Sequence, residues 1–272
     1  MKLLWMTDLH LERASNGMRI DFLKRLSNEA FDSAVLTGDI SNAERLPEDL
    51  TDLGRACFPR KLYFTLGNHD FFGSSFAAVD ASVEAVCQRQ KNLHHLGSAR
   101  SGEVIQLSYD TALVGHRGWA DMRAGYSYDT AVSCHDAAWI DDLRICSSRY
   151  AIFRKMETLG RNSAAYFRRV LPRALSPYRH VFLATHVPPV TQVARYDGKG
   201  CGYHHQPYFC NVSAGGAIIG IARMFPSRRL SVLCGHTHSA ASIQLTENLA
   251  VHVGNGKPGR PEFSGSFDLP LG

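Results

Sequence analysis

The chain has no C-x-x-C pair. Its seven cysteines, at positions 57, 87, 134, 146, 201, 210 and 234, are scattered and odd in number. That pattern argues against a structural zinc knuckle and against a disulfide framework, and leaves buried free thiols as the expectation. Only Cys201 and Cys210 are placed to meet across a loop. No apolar run is long enough to span a membrane. The first run, Leu3–Met6, stops at Thr7 and Asp8 and is too short for a signal-peptide core, so a cytoplasmic protein is expected. Internal repeats and low-complexity tracts are missing too. No stretch reads as a linker, and the 272 residues are expected to form one domain, 1–272, with loop insertions near 118–146 and 198–216. Acids are scarce in one region: from Arg149 to Arg179 eight basic residues share the chain with one acid, Glu157. The net charge of +5 is compatible with anionic substrates and selects none.

What the chain does have is a series of short apolar runs. Leu3–Thr7, Ala34–Thr37, Leu62–Leu66, Val181–Thr185 and Ser231–Cys234 read as buried strands. Val104–Ser108 and Thr111–Val114, parted by Tyr109 and Asp110, predict a hairpin, and Leu249–Val253 a last strand. Helical spacing recurs over Met18–Asn28, Phe76–Gln90, Ile152–Leu159 and Ala164–Ala174, the last two carrying the basic residues. His94 and His95 are expected in a loop, and Gly254–Gly272, rich in Gly and Pro, on the surface. Strands alternating with helices make this an α/β chain, a mixed sheet layered with helices.

The chemistry lies where the runs end. Asp8 and His10 follow the first, Gly38 and Asp39 the second, and Gly67-Asn68-His69-Asp70 the third. His186 follows the fourth and Gly235-His236-Thr237-His238 the fifth. Ligands of open α/β sheets sit beyond the carboxyl ends of the strands, so these side chains are expected at one rim. Charge gathered there needs a partner, and a pair of divalent metals is the simplest one. Imidazole, carboxylate and amide oxygen without thiolate suit Mn, Fe, Zn, Ni or Co. Taken singly, Asn68 would be a turn residue and His10 a loop histidine; five such endings in order are harder to explain away.

D-x-H, G-D, G-N-H-D, a lone His and G-H-x-H, in that order from Asp8 to His238, resemble the calcineurin-like metallophosphoesterases. The resemblance implies a four-layer α/β/β/α sandwich of two mixed sheets flanked by helices. It implies two divalent metal ions, manganese foremost, with Fe, Zn, Ni or Co as alternatives. Asp8, His10 and His238 match the ligands of the first metal, Asn68, His186 and His236 those of the second, and Asp39 the bridging carboxylate. His69 matches the residue that faces the substrate, and Asp70 the residue that orients His69. The implied reaction is phosphoester hydrolysis by a hydroxide shared between the metals, with His69 as proton donor. A phosphodiester is the preferred substrate, with a phosphomonoesterase or a nuclease as the alternatives. G-N-H-D departs from the G-N-H-E of the protein phosphatases, which disfavours that branch. His116 and Arg117, after Thr111–Val114, and His204 and His205, in a His- and Tyr-rich stretch, are candidate substrate contacts. Two readings without catalysis remain: a metal-binding scaffold on the same fold, or a nucleic-acid-binding module using the basic region 149–179.

Overall fold

A computed structural model describes residues 1–98, 104–196 and 198–270. In chain order the first elements are β1 (Lys2–Met6), α1 (Asn16–Asn28), β2 (Ser33–Thr37), α2 (Leu46–Cys57), β3 (Lys61–Thr65), α3 (Phe76–Arg89) and β4 (Leu93–His95). Then come β5 (Ile105–Gln106), β6 (Thr111–Gly115), α4 (Asp136–Trp139), α5 (Asp141–Arg144), α6 (Arg149–Leu175) and β7 (His180–Ala184). The last are β8 (Arg195–Tyr196), β9 (Lys199–Gly200), α7 (Gln206–Phe209), α8 (Val212–Met224), β10 (Arg229–Cys234), β11 (Ala241–Thr246), β12 (Leu249–Val253) and β13 (Gly265–Asp268).

Two mixed sheets form the centre. One has the order β13-β1-β2-β3-β4, parallel except for β13; the other has the order β11-β12-β10-β7-β6-β5, parallel except for its two edges. Parallel strands need helical crossovers, and these cover the outer faces. The side-chain alternation of β1–β3 shows the layering. Leu4, Met6, Leu36 and Phe64 pack with Phe22 of α1, Leu50 of α2 and Val83 of α3. Their neighbours Leu3, Trp5, Val35 and Tyr63 turn the other way and meet Leu113, Phe182 and Leu233 of the second sheet. On the far side of that sheet, Val114, Val181 and Val232 pack with Phe167 of α6 and Ile218 of α8. The result is helix, sheet, sheet, helix. It also explains why these strands read as continuous apolar runs: both faces of each are covered.

The two helical patterns at 152–159 and 164–174 belong to one 27-residue helix, α6. Its buried side carries Phe153, Met156, Phe167 and Leu171; on the other side Arg154 and Arg161 reach Glu157. His94 and His95, expected in a loop, lie on β4, and the Gly- and Pro-rich tail supplies β13 as an edge of the first sheet. Residues 271 and 272 of that tail lie outside the described residues. The segment 118–146 carries α4 and α5 and buries Trp119, Met122, Ile140 and Leu143. The segment 198–216 carries β9, α7 and the start of α8, and it buries Cys201 and Cys210. All seven cysteines are free. Among the described residues, no helix is long and apolar enough to cross a membrane.

Candidate metal centre

β1, β2 and β3 of the first sheet and β7 and β10 of the second end side by side. Their turns are tied together. The Asp8 N–H donates to Gly38 O at 3.0 Å, the Gly235 N–H to His186 O at 2.9 Å, and the His236 N–H to Asp8 Oδ1 at 2.9 Å. The bends are sharp. Asp8, His10, Asp39, His236 and His238 all hold left-handed φ, between 43° and 72°. Such a backbone strains a side-chain-bearing residue by roughly 1–3 kcal/mol and persists only where the surroundings enforce it. Gly38, at φ 90°, is required for another reason as well: a Cβ there would run into the His186 ring and the Gly67 nitrogen.

The turns deliver two sets of donors. Asp8, His10, Asp39 and His238 bring one donor atom each within 4.8 Å of one another, and Asp39, His186 and His236 do the same. In the first set, His10 Nε2 lies 3.0 Å from His238 Nε2 and 3.7 Å from Asp39 Oδ2, and His238 Nε2 lies 3.4 Å from Asp8 Oδ1. In the second, Asn68 Oδ1 lies 3.0 Å from His236 Nδ1 and 3.2 Å from His186 Nε2, which is 3.3 Å from Asp39 Oδ1. Asp39 thus offers one oxygen to each set.

The surroundings fix which atoms point inward. A carbonyl can only accept, so His186 Nδ1–H donates to Thr37 O at 2.8 Å and His236 Nε2–H to Tyr208 O at 2.9 Å. Asn68 Nδ2 donates to Asp136 Oδ1 at 2.9 Å, which turns its amide oxygen toward the two rings. Burial, then the neighbouring His186, holds His236 down to about 4, so its Nδ1 keeps a lone pair. Burial also opposes charge on His186, but the Asp39 carboxylate outweighs it and pushes this ring up to about 9. Burial works against the Asp8 and Asp39 carboxylates in the same way. His238 and His186 hold Asp8 below its usual range, and His186 and His69 hold Asp39 well below it. The donors, nitrogen and oxygen atoms without thiolate, fit a divalent cation at each set.

A family model described as calcineurin-like phosphoesterase matches residues 1–240. The chain belongs to the calcineurin-like phosphoesterase family. Its members bind two divalent metals, and this chain is a metal-dependent phosphoester hydrolase. Solved structures agree on the fold. A dimetal phosphatase from Danio rerio superposes with a TM-score of 0.56 at 13% identity, covering 94% of this chain and 87% of that one. The protein TT1561 of Thermus thermophilus gives 0.50 at 10% identity, covering 94% and 89%. No curated protein matches the chain.

The phosphoesterase centre opens into a cavity of about 700 Å³, lined by Asn68, His69, Asp136, Tyr208, His236 and His238 among others. His69 stacks on Phe72 at 4.2 Å and meets His10 edge-on at 4.7 Å. Burial pushes its ring down to about 4. Asp70, expected to orient it, bonds elsewhere. The Asp70 carboxylate accepts the Ile40 and Ser41 N–H groups at 2.9 Å each and the Gly67 N–H at 2.8 Å, so it ties the second and third turns together.

His205 lines the cavity, whereas His204 packs on Tyr126 at 4.6 Å and accepts the Ala131 N–H. His116 and Arg117, also expected as substrate contacts, are not among the residues that line this cavity. Both line a second cavity of about 330 Å³. His116 accepts the Gly118 N–H at 3.1 Å, and Arg117 pairs with Asp80 at 3.2 Å over the rings of Phe71 and Phe76. Two residues of the centre went unseen in the sequence. Asp136 sits in a segment without periodicity, and nothing local marks it. Glu12 follows His10 closely enough to have been considered with it.

Proposed function

We propose that this chain hydrolyses a phosphodiester. In this reading Asp8, His10, Asp39 and His238 hold one divalent cation, and Asp39, Asn68, His186 and His236 hold the other. Manganese is the first choice of metal, ahead of iron, zinc, nickel and cobalt. The observation that carries it is Asp39, buried between the two donor sets with Oδ2 toward His10 and Oδ1 toward His186. The cations, when bound, supply positive charge for the phosphoryl oxygens and water activated near neutral pH.

The protein's own groups do the rest. Thr37 and Tyr208 carbonyls fix the tautomers of His186 and His236, and Asp136 fixes the Asn68 amide. His69 lines the cavity, and among the described residues neither of its ring nitrogens makes a hydrogen bond within the protein. A negative phosphate beside it favours the charged imidazole over the neutral one that burial selects. The imidazolium then gives one proton to the leaving oxygen as the P–O bond breaks.

The preference for a diester rests on charge. Among the described residues, no Lys or Arg lines the cavity. Two cations suffice for a singly charged diester, whereas a doubly charged monoester leaves more charge uncovered. The test is a manganese-reconstituted assay of bis-p-nitrophenyl phosphate against p-nitrophenyl phosphate, with the Asp39→Asn variant alongside. The diester should show the higher kcat/KM, and Asp39→Asn should lose more than about a hundredfold, beyond the cost of losing a supporting partner. Faster turnover of the monoester would reverse the substrate assignment, and an active Asp39→Asn variant would remove the centre from the reaction.

A further inference from the structure

The proposed proton donor needs a carboxylate behind it, because an imidazole with no partner is free to rotate and to change tautomer. The adjacent acid, Asp70, is spent: three backbone N–H groups occupy its two oxygens. Another carboxylate is close at hand. His10 turns the chain with a left-handed φ of 43° into a single 3₁₀ turn, Leu11–Arg13, and the turn folds Glu12 back under the site. The Glu12 side chain is only 11% exposed. Its Oε1 lies 3.5 Å from His10 Nδ1 and 3.3 Å from Arg13 Nε. Its Oε2 is buried with no hydrogen-bond partner, and so is His10 Nδ1. His10, Glu12 and His69 each place a nitrogen or carboxylate oxygen within 4.8 Å of the others.

A buried carboxylate oxygen without a donor is costly, by roughly 1–3 kcal/mol or more. A fold does not keep one beside two imidazoles without a donor to fill it in the working state. The ring of His10 has Nε2 committed toward Asp39 and His238, so its Nδ1 is the nitrogen free to carry the proton. The ring of His69 is held by Phe72 on one face and by the edge contact with His10, but by no hydrogen bond at either nitrogen among the described residues. One carboxylate therefore faces both rings. Contacts of this kind are often long before substrate binds and shorten in the complex.

We propose that Glu12, rather than Asp70, is the carboxylate that positions His69 at the leaving oxygen. The inference rests on the phosphoesterase reading above. Glu12 stays ionised throughout: it accepts one His69 N–H, and the other N–H of the imidazolium passes its proton to the leaving oxygen. It touches neither substrate nor metal, so it is a positioning residue.

The consequence is a dependence on the leaving group. A p-nitrophenolate leaves without help; a phenolate or an alkoxide needs the proton. The experiment compares metal-loaded wild type, Glu12→Gln, Glu12→Asp, His69→Ala and the Glu12→Gln/His69→Ala double variant on p-nitrophenyl and phenyl methyl phosphodiesters. Metal content is measured for each. Glu12→Gln should lose about tenfold to a hundredfold in kcat on the phenyl ester, with bound metal unchanged and a much smaller loss on the p-nitrophenyl ester. The same substitution made in the His69→Ala protein should cost nothing further, and Glu12→Asp should recover part of the loss. A second readout needs no turnover. Nitrogen-edited NMR of the ring protons in the metal-free protein should show the His10 and His69 resonances shifting together in Glu12→Gln while those of His116 stay put. Equal losses on both esters, losses that multiply with His69→Ala, or depleted metal would overturn the proposal, since Glu12 would then serve His10 or the fold alone. Wild type inert on both esters would sink the phosphodiesterase reading and this proposal with it.

Discussion

Asp136 supplies no donor atom to either set, yet the Asn68 oxygen points inward because Asp136 accepts the amide's N–H. Burial pushes the Asp136 carboxyl up to about 6, against the pull of that same bond. Removing the side chain relieves a buried acid and frees the amide to flip. Asp136→Ala should therefore weaken binding of the second metal by about tenfold to a hundredfold with little loss of folding stability. Metal titration read beside thermal denaturation checks both halves. His116 acts on a different quantity. Burial, with Arg117 and His95 beside it, holds its ring at about 3 against a usual value of 6.5, and its Nδ1 accepts the Gly118 N–H. The unfolded chain takes up the proton first, so stability is complete above pH 6.5 and falls as pH drops toward 3. The slope from this one group reaches at most about 1.4 kcal/mol per pH unit. Urea midpoints at pH 7 and pH 5 should separate in wild type and draw together in His116→Gln. Equal separation in both proteins would clear His116 of the effect.

At the level of elements, each central strand does two jobs. Its middle is apolar on both faces, and its carboxyl end leads into a turn that carries a donor, strained after β1, β2 and β10. The middle is readable in a sequence because double burial leaves a continuous apolar run. Short or half-buried elements leave no such mark. Gly265–Asp268 has no apolar run, yet it pairs with β1; Leu46–Cys57 and Val212–Met224 form helices that show only where they pack. The joint between the sheets is the structural demand behind the site, since the first sheet brings Asp8, Asp39 and Asn68 and the second brings His186 and His236. Phe182 fills that joint at 1% exposure, 5.0 Å from the Phe267 ring. Phe182→Ala should cost about 3–5 kcal/mol in urea unfolding. A cost near zero would mean that the two sheets are joined chiefly at their edges.

Across the whole molecule, cations at this centre bind the folded chain and find no assembled site in the unfolded one. Each cation present at a hundred times its dissociation constant adds about 2.7 kcal/mol. Chelation should lower Tm by roughly 5 °C or more, and manganese should restore it. A Tm indifferent to chelator would mean that the donor sets hold no metal under those conditions. The amino-acid order alone determined which strands are buried and which residues close them. A run covered on both faces must be apolar, and a donor at its end must be Asp, Asn or His. Those constraints act on neighbours in the chain, and a reader of the sequence can see them. It did not determine the partner of each donor. Asp70 stands next to His69 but faces the amides of residues 40, 41 and 67, while Glu12, from the first turn, comes to lie beside it. His116 and Arg117 also follow a strand, yet they open into a different cavity. Which carboxylate meets which imidazole depends on how segments far apart in the chain pack together, and only the tertiary structure decides that.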